Sequence, residues 1–165
     1  MIEHVRKILA AQFEAALAML NDCVQKCPPE QWDGLVAKYP FWQVAYHTLC
    51  FVDLYLSPSE KAFEMREIHP QGWREFNDEF PSRRFDKAEL TAYLAICRTK
   101  AVETLVQMTE ESFQADSGFG RLHISRGELH IYNLRHLQHH TGQLSAFLRR
   151  NDQAADPTWV GSGWK

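Results

Sequence analysis

Apolar positions in the first two dozen residues recur at steps of three and four: Ile2, Val5, Leu9, Phe13, Ala16, Leu17, Leu20 and Val24. That spacing draws one stripe along a helix from about Glu3 to Val24. Cys27-Pro28-Pro29 ends it, because consecutive prolines lack the amide hydrogen and crowd the preceding turn. A second helix, from about Phe41 to Leu56, opens after Pro40, where a first turn tolerates proline. Phe41, Trp42, Val44, Ala45, Leu49, Cys50, Phe51, Val52, Leu54, Tyr55 and Leu56 make it apolar nearly all round. Such a helix is covered on more than one side, by the core and by either the following loop or a second subunit. A third helix starts at Asp86, with Glu89 completing a capping box, and carries Leu90, Tyr93, Leu94, Cys97, Val102, Leu105 and Met108. Thr109-Glu110-Glu111 reads as a further short helix start. Ser125 and Glu128 open the last helix, which runs to about Asn151 with Leu129, Tyr132, Leu137, Leu144, Phe147 and Leu148.

Residues 57–86 form a long connection. Ser57-Pro58-Ser59-Glu60 predicts a capping box and a short helix there. Phe63, Trp73, Phe76, Phe80 and Phe85 follow, too many large aromatics for a solvated linker, so the segment is expected to pack on the body. Its length permits a crossover, so the second and third helices need not be antiparallel neighbours. No stretch reads as a sheet strand, although His123-Ile124 suits a short extended piece. The tail, 151–165, with Pro157, Gly161 and Gly163, reads as coil docked through Trp159 and Trp164. The fold expected is all-α: a four-helix bundle over 1–150 with a long crossover loop, then a coil tail.

Composition narrows the function classes. The 165 residues suffice for one domain with a core of its own. Eighteen Lys and Arg against 21 Asp and Glu give a net charge of −3, which offers no basic field for nucleic acid. No apolar run reaches the roughly 18 to 20 residues that span a bilayer. The first residues lack the pattern of a secretion signal, so the protein is expected to be cytoplasmic. Four Cys do not form a disulfide framework. Cys23 and Cys27 lack redox spacing and, with Cys50 and Cys97, read as small core hydrophobes.

The histidines carry the candidate chemistry. His47 lies on one helix face with Val44, Phe51 and Leu54, so an imidazole occupies an apolar stripe. In the last helix, His136 and His140 are four apart and stand on one face, a spacing that offers two nitrogens to one ion. His139, three from His136, is an alternative partner, although it leans about 100° away from His140 and reads as partly exposed. Three unpaired imidazoles are costly to bury, and one divalent ion satisfies all of them. Three neutral ligands leave at least one coordination position open, the arrangement of a catalytic site. Tyr132, one turn before His136, and Gln143, three after His140, are placed to orient ligands or substrate. Two other readings stand beside a metal enzyme: a haem-binding bundle with the haem between His47 and the last helix, and a structural dimer.

The run His136-Leu137-Gln138-His139-His140-Thr141-Gly142-Gln143-Leu144 resembles the signature of the DinB/YfiT-like metal-dependent hydrolases. Pro40-Phe41-Trp42-Gln43-Val44-Ala45-Tyr46-His47-Thr48-Leu49 is similar to that family's second-helix motif. The resemblance implies a four-helix bundle with up-down-down-up topology, often dimeric. It implies a metal triad at His47, His136 and His140 holding zinc or nickel. It also implies hydrolysis, or transfer involving a low-molecular-weight thiol and a small-molecule substrate. The long aromatic loop is an elaboration on that pattern.

Overall fold

The computed structural model describes residues 1–69, 83–151 and 155–161. Its elements are α1 (Ile2–Lys26), a 3-10 turn (Pro29–Gln31), β1 (Leu35–Val36), β2 (Tyr39–Pro40), α2 (Phe41–Leu56), α3 (Lys87–Gln107), α4 (Glu110–Gln114) and α5 (Arg126–Asn151). The two short strands pair antiparallel as a hairpin that puts Ala37 at φ 57. Sequence reasoning missed this hairpin.

The helices form a square in which α1 and α2 each pack against both α3 and α5. Directions follow from named contacts. Phe41 meets Phe147 while Tyr55 meets Tyr132, so α2 and α5 run antiparallel. The Cys97 thiol donates to Leu49 O and Lys100 donates to Asp53 O, so α2 and α3 run parallel. Arg6 donates to Met108 O and Gln25 to Thr91 Oγ1, so α1 and α3 run antiparallel. The order is up-down-down-up. Phe13, Leu17, Leu20, Leu49, Leu90, Tyr93, Leu105, Leu129, Leu137 and Leu144 fill the centre and are buried. All four cysteines are buried and reduced.

Fifteen of the 16 residues of α2 are buried. Tyr46 stacks on Phe85 at 4.3 Å, Trp42 packs against Phe85, and Phe63 is buried nearby. The chain's own connection therefore covers the outer side of α2. Trp73, Phe76 and Phe80 lie outside the described residues.

Two local expectations change. Residues 57–62 form bends and turns instead of a short helix. Ser57 is buried and ends α2: its hydroxyl donates to Asp53 O and accepts from Lys100, so it is not available as a cap. Glu60 N–H instead donates to Gly118 O, tying this turn to the 116–120 loop, where Gly118 has φ +79° and a Cβ would lie 2.7 Å from Pro58 O. The tail docks without Trp159, whose side chain is exposed. Lys26 donates to Asp156 O and Thr158 Oγ1, Arg149 binds Asp156 and Pro157 O, and Ala155 is buried. Trp164 lies outside the described residues.

Candidate metal centre

His47 in α2 and His136 and His140 in α5 face one another because the two helices run antiparallel and cross at that level. One ligand nitrogen from each lies within 4.8 Å of the other two. Nε2 of His47 and Nε2 of His136 are 3.2 Å apart. Two nitrogens bound tetrahedrally to one zinc, each at about 2.0–2.1 Å, are separated by about 3.4 Å. The first pair is thus at coordination spacing, and a nitrogen of His140 lies within 4.8 Å of both. His139 is exposed and falls outside the cluster. Among the described residues no carboxylate joins the three imidazoles.

The environment fixes their ionisation. Burial pushes His47 down to about 2, and the neighbouring His136 and His140 push the same way. Burial likewise holds His136 at about 3, reinforced by His140 and His139. His140 is lowered, again by burial first. All three are neutral near pH 7, the form that donates a lone pair to a cation. The buried Nδ1 of His136 has no hydrogen-bond partner among the described residues. A contact between neutral imidazoles satisfies at most one proton, so the cluster is under-satisfied by itself, and a divalent cation fits it.

The surrounding side chains orient and wall the site. Gln143 Oε1 lies 2.8 Å from His140 Nδ1, and its amide nitrogen lies 3.2 Å from His139 Nε2. When the amide oxygen accepts the Nδ1 proton, His140 presents Nε2 as its lone-pair nitrogen. The Phe51 ring packs 4.5 Å from His47 and 5.2 Å from His136. Tyr55 packs edge-on to His136, and Tyr132 packs edge-on to Tyr55 at 5.4 Å, so Tyr132 reaches the histidines through Tyr55. Gln43, one turn before His47, is buried, and its Oε1 has no partner among the described residues. A Cβ added at Gly142 meets nothing within 4 Å, so that glycine serves no close approach.

A second polar cluster escaped sequence reasoning. Asp53 is fully buried in α2 and pairs with Lys100, with Tyr93 Oη at 3.1 Å, Arg66 Nε at 3.5 Å and His69 Nε2 at 3.8 Å. Burial alone would raise its pKa. The hydrogen bonds from His69 and Lys100 outweigh that and hold it at about 2. Tyr46 Oη meets His69 Nδ1 at 3.2 Å. Cys50 Sγ lies 3.9 Å from the same nitrogen, which makes a thiol–imidazole–carboxylate series. Cys50 is 0% exposed, so the series is sealed from substrate and acts as the anchor of the 63–69 segment on α2 and α3. The only signal in the sequence was one Asp inside an apolar helix.

No helix of the described residues is long and apolar enough to cross a membrane. Searches of curated proteins and of solved structures give no match. A family model, the DinB superfamily, matches residues 12–144, a span that holds most of the bundle and all three histidines. The chain belongs to the DinB superfamily.

Proposed function

We propose that the protein is a metal-dependent enzyme that holds one divalent ion, zinc or nickel, on His47, His136 and His140. A bound ion of this kind supplies Lewis acidity, which makes a water or a small thiol a competent nucleophile near neutral pH. The chain's own residues provide the rest. The three imidazoles are kept neutral by burial, Gln143 fixes the tautomer of His140, and Phe51 and Tyr55 keep bulk water from one side. The observation that carries the reading is the convergence of three neutral nitrogens from two helices within 4.8 Å. A haem sandwiched between His47 and α5 is disfavoured, since 3.2 Å between the facing nitrogens leaves no gap for a macrocycle. A small-molecule substrate, a thiol co-substrate, a cytoplasmic location and a homodimer complete the proposal.

Metal analysis of protein purified without a histidine tag tests it. About one ion per chain is expected in the wild type, and none in the His136→Ala/His140→Ala double variant. Equal metal content in the two proteins overturns the assignment.

A further inference from the structure

A cavity of about 400 Å³ lies where the end of α2, the second half of α3, α4 and the first turns of α5 meet. Its lining includes Lys100, Asp116, Arg126 and His130. His130 is six residues before His136, about 240° around α5, and so faces away from the triad. Its side chain is 1% exposed, and it makes no hydrogen bond among the described residues, its Nδ1 being fully enclosed. Burial, then the charge of Arg126, lowers its pKa to about 4, so it sits neutral beside a cation with an N–H to offer.

The charges around it are unequal. Lys100 is neutralised by Asp53 behind the wall. Arg126 meets no carboxylate among the described residues. Its Nη atoms donate to the carbonyls of Leu56, Ser57, Pro58 and Ser117, at the C-terminal end of α2 and in the adjoining loop. Those carbonyls carry only partial charge, and the Nε–H is not used in these bonds. Asp116 is exposed at the rim, where Oδ1 accepts from Gly118 N–H. An anion that reached the rim would meet that carboxylate, so the lining suits a compact one.

The geometry points to this cavity as a binding site for a small oxyanion, a monocarboxylate or inorganic phosphate, held by Arg126 and by His130 as hydrogen-bond donors. The site is separate from the metal centre and does not depend on it.

The test uses the full chain, stripped of metal with a chelator, in both the wild type and the His136→Ala/His140→Ala variant, so that failure of the triad does not affect it. Sodium phosphate and sodium acetate are titrated at constant ionic strength, with calorimetry and with the ring resonances of ¹⁵N-histidine-labelled protein. The expected result is saturable binding that moves the His130 ring resonances, weakened at least about tenfold in His130→Phe, roughly the loss of one charge-assisted hydrogen bond. Since His130 makes no hydrogen bond to a described residue, His130→Phe should fold at least as stably as the wild type without anion. A response to phosphate alone or to acetate alone supports the site and identifies the ligand. Unmoved His130 resonances with both anions, or equal binding by His130→Phe, overturn it and leave a cavity that holds water only. The resonance measurement on the wild type decides the matter if His130→Phe does not fold.

Discussion

The amide oxygen of Gln143 sits 2.8 Å from Nδ1 of His140, and through that bond an exposed side chain on α5 orients one imidazole of the three-histidine cluster. Removing it with Gln143→Ala should leave the fold intact and weaken metal binding by about 10–100-fold, the usual cost of losing a partner behind a ligating histidine. Gln143→Glu keeps an acceptor and should recover most of the affinity. Competition with a chromogenic chelator reads both. Unchanged affinity in Gln143→Ala would show that the bond does not orient the ligand.

The metal-free protein should lose stability as pH falls from about 6.5 towards 3. His47 and His136 have folded pKa values of about 2 and 3, below the unfolded value near 6.5. Below pH 6.5 the unfolded chain binds protons that the folded chain refuses, so stability declines with acidification. The slope is about 1.4 kcal/mol per pH unit for each such histidine. Above pH 7 both states are neutral and the effect vanishes. Urea denaturation across this range measures the slope. His47→Phe/His136→Phe should flatten it, and an unaltered slope would assign the acid sensitivity elsewhere.

Asp53 is the buried counter-charge for Lys100. Asp53→Ala should destabilise the protein by about 3–5 kcal/mol, because it leaves Lys100 unpaired in a desolvated place. Asp53→Leu combined with Lys100→Met should cost clearly less than the two single changes added together. Denaturant titration of the four proteins closes the cycle. Strict additivity would mean that the pair does not act as a unit.

Gln43→Met should raise the stability of the metal-free protein by about 1–2 kcal/mol, since it removes a buried acceptor that has no partner among the described residues and keeps the side-chain volume. A loss of stability would reveal a hydrogen bond to Gln43 in the metal-free state.

The helices and the His136/His140 pair were legible for the same reason: both are written in steps of three and four. The capping box of Asp86 and Glu89 is realised with both of its bonds, and Ser125 and Glu128 exchange theirs likewise. Ser57–Glu60 carries the same letters and fails, because Lys100, 43 residues away, claims the serine hydroxyl. The hairpin before α2 was invisible because Ala37-Lys38 lacks the Asn-Gly or Asp-Gly chemistry that announces a tight turn. The Asp53 cluster draws on positions 46, 53, 66, 69, 93 and 100, and no local period links them. His47 was legible only as an oddity on an apolar face until α5 supplied the other two imidazoles.

Parallel α2 and α3 impose a travel requirement on the chain between them. It must return about 24 Å, the rise of 16 residues at about 1.5 Å each, before α3 can begin. Some eight residues at about 3.3 Å apiece cover that distance. The chain spends 30, from Ser57 to Asp86, so roughly three quarters of the stretch is surplus to the return journey. That surplus is not idle: Phe63, His69 and Phe85 belong to it, and their rings clothe the outward side of a rod that also carries one of the three imidazoles.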